Sequence, residues 1–307
     1  MQPRLHLFLF VMNCFDLNHC TVCPRECGVD RYKTKGVCGV GTEIRVAKTM
    51  LHKFEEPCIS GSDPERGSGA VFFAGCSLKC VFCQNKAISR GECGRVFTTA
   101  ELADKMLRLQ DEGAYNINLV TPTHYIPQII DALDIAKPKL SIPVVFNTGG
   151  YEKAETIRLL NGYADIFLTD FKYGTGELAK KYSAAENYPQ VAASALKEML
   201  SATGAPVFDS DGMMKKGIII RHLVLPGGRR DSEAALRLIA DTVPASDVLL
   251  ALMRQYTPNF APADIKELRR RITSFEYNYV LDIATELKFN GFSQDKESAE
   301  TIYTPDF

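Results

Sequence analysis

The chain has 307 residues, 46% of them hydrophobic and 24% charged, with a formal net charge of -1. This length and hydrophobicity allow a large buried core, while the absence of a basic excess argues against nucleic acid as a partner. No apolar stretch approaches the roughly 18 residues that a membrane-spanning helix needs, so we expect no membrane span.

The cysteines are concentrated in the first third of the chain. All ten lie between Cys14 and Cys93. Clustered cysteines in a long chain are typical of metal ligation in a reducing compartment, so we expect a cytoplasmic protein. The apolar start at residues 5–12 resembles a signal peptide without a convincing cleavage site. We interpret it as a packed strand or helix, or as the result of a start codon placed too far upstream.

Residues 1–67 are predicted to form an N-terminal metal-binding extension. They show no alternation of strands and helices, and they contain the spacing C-x2-C-x3-C-x10-C, interrupted by prolines and glycines that permit tight turns. Four thiolates close a coordination sphere, which suits structural zinc, although an auxiliary 4Fe-4S cluster or a rubredoxin-like iron uses the same ligands. The metal is therefore left open. The candidate ligands are Cys20, Cys23, Cys27 and Cys38.

The remaining cysteines are predicted to be buried small hydrophobes. They are Cys14, Cys58 and Cys93. Of these, Cys58 lies in a predicted turn that can approach the functional site.

Residues 68–290 are predicted to alternate strands with helices around a parallel sheet. Several of the six predicted strands are apolar throughout, as strands buried on both faces are. They span 70–74, 116–121, 143–147, 165–170, 217–225 and 247–253. Helices are predicted at 99–112, 127–136, 153–160, 188–201, 232–240 and 263–287, and a loosely held polar tail at 291–307. Thr98 or Thr99 is expected to cap the first of these helices, and Asp231 or Ser232 the fifth.

Six such units joined by right-handed crossovers predict an α/β fold, an open partial barrel of the TIM type with its helices outside. The loops at the carboxyl ends of the strands line one mouth of such a barrel and carry its chemistry. Polar residues that follow the strands are therefore the site candidates.

The loop after the first strand reads CSLKCVFC, with cysteines at Cys76, Cys80 and Cys83. A 4Fe-4S cubane normally takes four thiolates, so three leave one iron open to bind and activate a ligand. A zinc site on the same cysteines would need a fourth ligand, and none is obvious nearby. Cys93 lies ten residues further on.

This loop resembles that of the radical S-adenosylmethionine (SAM) superfamily. The resemblance implies a 4Fe-4S cluster whose open iron binds the amino and carboxylate groups of SAM, and whose electron cleaves SAM to a 5'-deoxyadenosyl radical that abstracts a hydrogen atom. It also implies an adenine contact at Phe82 and an electron donor such as flavodoxin or ferredoxin.

Segments 118–125, 147–152, 170–173 and 221–227 extend the resemblance to the uncharacterised branch related to pyruvate formate-lyase activating enzyme. It implies that Asp170 and Lys172 help to hold SAM, with Lys172 pairing with the methionyl carboxylate, and that Arg221 lies near the cofactor.

Three candidate cofactor contacts, at two places in the fold, depart from those activating enzymes. Where they have Gly-Gly-Glu after the second strand, this chain has Thr121 and Thr123 around a proline, with hydroxyls that can accept a hydrogen bond from the SAM amino group but carry no charge. Asn147 replaces an aspartate associated with a bound cation, which puts that cation site in doubt. His124 and His222 follow strand ends, and we expect them to make structural hydrogen bonds. No catalytic residue is predicted.

The resemblance implies an activase-like enzyme that removes a hydrogen atom from a glycine of a partner, a glycyl radical enzyme. The departures also allow the same radical chemistry on a small molecule or a peptide side chain. A third alternative is a non-enzymatic iron-sulfur electron carrier or metal-binding scaffold.

Overall fold

The computed structural model describes residues 15–294. The predicted strand or helix at 5–12, Cys14 and most of the predicted polar tail lie outside the described residues. The strands are β1 Ile44–His52, β2 Gly67–Phe73, β3 Arg95–Phe97, β4 Ala114–Val120, β5 Val144–Thr148, β6 Ile166–Asp170, β7 Val207–Phe208, β8 Met214–Leu223, β9 Leu249–Met253 and β10 Asn290–Ser293. The α-helices are α1 Pro57–Ser60, α2 Lys86–Ser89, α3 Thr99–Asp111, α4 Ile126–Ala136, α5 Ala154–Arg158, α6 Gly176–Ser183, α7 Tyr188–Thr203, α8 Arg229–Thr242 and α9 Ser274–Glu286.

The six predicted strands are confirmed as β2, β4, β5, β6, β8 and β9, which lie side by side in chain order and run parallel. Four strands were not predicted: β1 pairs antiparallel with β2, β3 with β1 and β7 with β8, while β10 adds a parallel strand beside β9. The sheet ends at β3 on one side and β10 on the other, so the predicted open barrel is confirmed. The division into extension, barrel and tail stays a prediction.

Several helix boundaries differ from the prediction. Thr98 caps α3 through a reciprocal capping box with Glu101, as expected. The predicted helix 263–287 is wrong at its start, because a second capping box, between Thr273 and Glu276, begins α9 at residue 274. The helix predicted from 232 begins at 229, and the Asp231 carboxylate accepts bonds from the backbone of residues 174 and 175 instead of capping it. Helix α6 was missed.

The short helix α1 fills the interior of the partial barrel. Cys58 and Ile59 pack against inward-facing residues of β5, β6 and β8, so Cys58 is buried as predicted. Asn116 of β4 donates its amide to the carbonyl of Ile59 over 2.8 Å, which fixes the helix to the barrel wall. The two residues before α1, Glu55 and Glu56, are thereby held at the mouth. None of the helices within residues 15–294 combines the length and apolar character that crossing a bilayer requires.

Candidate functional site

The carboxyl ends of the parallel strands surround a cavity of about 460 Å³. Its wall is built by side chains from the ends of β1, β2, β4, β5, β6, β8 and β9 and from the loops that follow them, which is the arrangement expected at the mouth of such a barrel. The sequence-predicted residues in the wall are Cys76, Cys80, Phe82, Cys83, Thr121, Asn147, Asp170, Lys172 and Arg221. The barrel therefore brings together side chains that are far apart in the sequence.

The loop of residues 75–83, here called the cluster loop, is held by backbone hydrogen bonds to neighbouring segments. The amide of Val81 donates to the carbonyl of Tyr182 over 2.9 Å, and that of Lys79 to the carbonyl of Ser183 over 3.3 Å. The Ser183 hydroxyl lies 3.0 Å from the sulfur of Cys80. The three thiols thus line the cavity, while hydrogen bonds to residues 182 and 183 hold the backbone of the cluster loop in place.

Two thiols of the cluster loop, those of Cys76 and Cys83, favour the protonated form when no metal is bound. The pKa of Cys76 is raised to about 12, mainly by burial and to a smaller extent by the neighbouring Cys80 and Cys83. Burial also raises the pKa of Cys83. Thiolate is the form that binds metal, so loading a cluster here releases protons.

Phe82 presents its ring to the cavity from a fixed position. The side chain is 9% exposed and makes edge-on contacts with Tyr256 and Tyr182 at centroid distances of 6.0 and 6.3 Å. Tyr256 is itself anchored by a hydrogen bond of 2.7 Å to the carbonyl of Leu268. The ring is therefore pre-oriented for contact with a flat group such as a purine.

Asp170 and Lys172 form an ion pair on the cavity wall. Burial by itself would lower the pKa of Lys172, but the Asp170 carboxylate and the nearby Cys80 and Cys83 raise it above its usual value. The Tyr188 hydroxyl accepts from the Lys172 amide and lies 2.9 Å from the carbonyl oxygen of Gly149. Lys172 is therefore a positioned cation beside the cluster loop.

Two residues that the sequence did not point to surround Arg221. Its guanidinium donates to both carboxylate oxygens of Glu56 at 2.7 and 2.6 Å and also pairs with Glu55. Glu55 also accepts from Asn118 at 2.8 Å and from Asn147 at 3.4 Å. The region around Asn147 thus contains a carboxylate, supplied by Glu55, although residue 147 itself has none. The pair of acidic residues directly before Pro57 was the available sequence signal.

The two threonines of the Thr-Pro-Thr turn have different surroundings. Thr121 lines the cavity, and its φ of 57° is left-handed, an uncommon and costly conformation for a β-branched residue. Strained residues of this kind cluster at functional sites. Thr123 does not line the cavity. Its side chain is buried, and its hydroxyl donates a hydrogen bond of 2.9 Å to Glu152. Only Thr121 is placed to contact a ligand directly.

Glu152 is a buried acid that the sequence reading missed. It is 2% exposed, and burial raises its pKa from 4.5 to about 7. Between these two pH values the unfolded chain binds fewer protons than the folded one. The stability of the metal-free protein should therefore fall by about 3 kcal/mol as the pH rises from about 4.5 to about 7.

Glu152→Gln should remove most of that pH dependence. Urea unfolding of the metal-free wild type and variant at pH 5 and pH 7.5 measures the effect, with the exposed Glu155→Gln on α5 as a control. An unchanged pH dependence in Glu152→Gln would show that this carboxyl is not the group responsible.

Both predicted histidines have the structural role expected of them. A ring nitrogen of His124 lies 2.8 Å from the carbonyl of Ala74, and one of His222 lies 2.6 Å from the carbonyl of Phe171. Burial lowers the pKa of His124 to about 3, so it is neutral at physiological pH. The histidine that does line the cavity is His52, at the end of β1, which was not predicted.

The four N-terminal cysteines form a turn-rich segment, residues 20–38, here called the knuckle. Cys20, Cys23 and Cys38 are buried and Cys27 is half-buried. Burial, followed by interactions with the other three thiols, raises the pKa of Cys23 to about 12. Among residues 15–294, no three cysteine, histidine or acidic side chains are already arranged to hold one metal ion.

A family model described as the Radical SAM superfamily matches residues 70–239, more than half of the chain. The chain belongs to the radical SAM superfamily. Membership implies a 4Fe-4S cluster and SAM, and the three thiols of one loop facing a cavity with a positioned lysine fit both groups.

Among curated proteins, the chain is 28% identical to an uncharacterized protein of Methanocaldococcus jannaschii over 277 residues, which cover 87% of this chain and 74% of the relative. The fold is similar to a radical SAM methyltransferase from Sphaerobacter thermophilus, with a TM-score of 0.51, 14% identity and coverage of 76% of this chain and 67% of the other. Streptococcus suis SuiB bound to precursor peptide SuiA gives a TM-score of 0.49 at 14% identity, with 72% of this chain and 46% of SuiB covered. The chain thus spans about half the length of SuiB. The similarity to the methyltransferase shows the fold alone.

Proposed function

We propose that this protein cleaves SAM reductively, with the cluster on Cys76, Cys80 and Cys83 and with SAM in the adjoining cavity. The observation that carries the proposal is that the three thiols, Lys172 and the Phe82 ring all line one cavity. When bound, the cluster supplies the electron that splits SAM into methionine and a 5'-deoxyadenosyl radical, which takes a hydrogen atom from the substrate. A small reduced carrier such as flavodoxin or ferredoxin is the proposed electron donor.

The cavity residues have separate roles in this proposal. Lys172 neutralises the methionyl carboxylate, the Phe82 ring packs on the adenine, and Thr121 accepts a hydrogen bond from the amino group. Apolar side chains such as Leu223 and Leu225 complete the wall and exclude water from a reactive radical.

Lys172→Met should weaken SAM binding by about 10-fold to 100-fold, because it removes a charge-assisted hydrogen bond and leaves Asp170 unpaired beside the ligand. Anaerobic calorimetry with SAM and the oxidised, cluster-loaded protein measures this. Lys181→Met is the matched control, since Lys181 pairs with Glu267 and is not part of the cavity wall. Equal SAM affinity in wild type and Lys172→Met would contradict the role assigned to Lys172.

As the target we propose a glycine of a partner polypeptide, which makes the protein an activase-like enzyme. The cavity of about 460 Å³ lies within the roughly 300–1,000 Å³ of small-molecule sites, so SAM leaves little room for a second large ligand. The open sheet and the resemblance to activating enzymes support approach of a polypeptide loop from outside.

Anaerobic incubation with reductant, SAM and candidate glycyl radical enzymes should give a glycyl radical signal by electron paramagnetic resonance. The absence of a signal with every partner that contains a glycyl radical motif would rule this target out.

A small molecule or a peptide side chain is the second candidate target. The observation that favours it is the Glu55, Asn147 and Arg221 network, which departs from the activating-enzyme pattern at Asn147. Under this alternative, deuterium from a labelled substrate appears in 5'-deoxyadenosine while no glycyl radical forms.

A further inference from the structure

The knuckle and the cluster loop are in direct backbone contact. The carbonyl of Cys38 accepts a hydrogen bond of 3.1 Å from the amide of Cys76. Gly75, at a φ of 93°, approaches so closely that a β-carbon there would lie 2.9 Å from the same carbonyl oxygen. A candidate ligand of the knuckle is therefore one hydrogen bond away from a ligand of the cluster loop.

Arg25, between two of the knuckle cysteines, makes a second connection. Its guanidinium donates to the carbonyl of Ser77 at 2.8 Å, to that of Ser183 at 3.0 Å and to that of Ala184. Ser183 in turn supports the cluster loop through its carbonyl and through the hydroxyl near Cys80. One side chain of the knuckle thus fixes both the cluster loop and the segment that supports it.

The knuckle has the composition and the space of a metal-binding site. A β-carbon on Gly36 would lie 3.3 Å from the sulfur of Cys38 and 3.4 Å from that of Cys27, so two sulfurs converge on this glycine and a larger residue would crowd them. Four thiols are a donor set for soft metals, and four thiolates around one zinc at roughly 2.3 Å lie within about 4.6 Å of one another. No three described side chains are already arranged for a single ion, at the knuckle or at the cluster loop, so loading moves ligand side chains at both sites.

We propose that Cys20, Cys23, Cys27 and Cys38 bind a thiolate-ligated metal centre whose presence fixes the position of the cluster loop. The centre is one zinc ion or one iron-sulfur cluster, which share this ligand chemistry. Rearrangement of Cys38 is transmitted to Cys76 through their hydrogen bond, and Arg25 transmits it to Ser77. The role of the cluster loop rests on the proposed function, whereas metal binding by the knuckle does not.

Metal binding is tested in a chain that lacks the ligands of the cluster loop. The triple variant Cys76→Ser, Cys80→Ser, Cys83→Ser should retain one zinc, or the iron and sulfide of one cluster, after anaerobic reconstitution and desalting. Elemental analysis and Mössbauer spectroscopy distinguish bound zinc from a bound iron-sulfur cluster. Adding Cys20→Ser and Cys27→Ser should remove that metal, and Gly36→Ala should weaken its retention. A triple variant without bound metal would overturn the proposal, whether or not the wild type cleaves SAM.

The connection to the cluster loop is tested with Arg25→Gln and Cys27→Ser in the otherwise intact chain. Both should speed amide hydrogen exchange across residues 75–83 by about tenfold and alter the paramagnetic resonance of the reduced cluster, while Arg25→Gln keeps the knuckle metal. Arg108→Gln, at an exposed ion pair on α3, is the control. Exchange and resonance equal to the wild type in Arg25→Gln would overturn the connection, even if Cys27→Ser fails to fold.

Discussion

Cys80→Ser should reduce both cluster content and SAM cleavage by more than about a hundredfold, since even the partners that orient metal ligands contribute about 10-fold to 100-fold. The Cys80 thiol lines the cavity and is contacted by the Ser183 hydroxyl at 3.0 Å. No other thiol in the described part of the cavity wall, apart from Cys76 and Cys83, is available to replace it. Iron and sulfide analysis together with chromatography of 5'-deoxyadenosine measures both effects.

Cys93→Ser is the matched control for this experiment. Its sulfur lies 3.6 Å from the carbonyl oxygen of Ala87 and is not part of the cavity wall. We expect its cluster content and SAM cleavage to equal those of the wild type. Full cleavage by Cys80→Ser, or loss of the cluster in Cys93→Ser, would contradict the ligand assignment.

Arg221→Met should lower the free energy of unfolding at pH 7.5 by about 3–5 kcal/mol. The substitution leaves Glu55 and Glu56 buried without the cation that compensates them. Burial alone would raise the pKa of Glu55, but Arg221 holds it below its usual value. In the wild type this interaction stabilises the fold above the unfolded pKa and is lost as the pH falls through the lowered one. The variant should lose much less stability than the wild type on acidification.

Urea unfolding of the metal-free protein at pH 7.5 and in mild acid measures both parts of this prediction. Arg237→Met removes a more exposed cation that pairs with Glu233 and Glu286, and should change stability by less than about 1 kcal/mol. Adding Glu55→Gln and Glu56→Gln to Arg221→Met should recover part of the loss. Equal destabilisation by Arg237→Met and Arg221→Met would show that burial of the carboxylates is not the cause.

The features predicted correctly from the sequence are local in the chain. Parallel strands buried on both faces are continuous apolar runs, so the six central strands could be predicted. The cluster loop carries its chemistry within eight residues, 76–83. β1 and β10 lie at or near the edges of the sheet and are only partly buried, so their sequences lack that apolar signal.

The features that were missed depend on contacts between distant residues. Glu56 meets Arg221 across a separation of 165 residues, and only the placement of α1 inside the barrel brings them together. Glu152 and Thr123 are 29 residues apart in the chain. They come together because the parallel strands β4 and β5 end at the same edge of the sheet. The sequence motifs of the knuckle and of the cluster loop were each recognisable, but their contact through Cys38 and Cys76 was not.

Chromatography and mass spectrometry of the products measure SAM cleavage directly. The anaerobically reconstituted protein, reduced with dithionite and given SAM, should form 5'-deoxyadenosine and methionine in equal amounts, and the Cys76→Ser, Cys80→Ser, Cys83→Ser variant should form neither. A fully cluster-loaded and reduced protein that leaves SAM intact would contradict reductive SAM cleavage and favour an electron carrier or metal-binding scaffold.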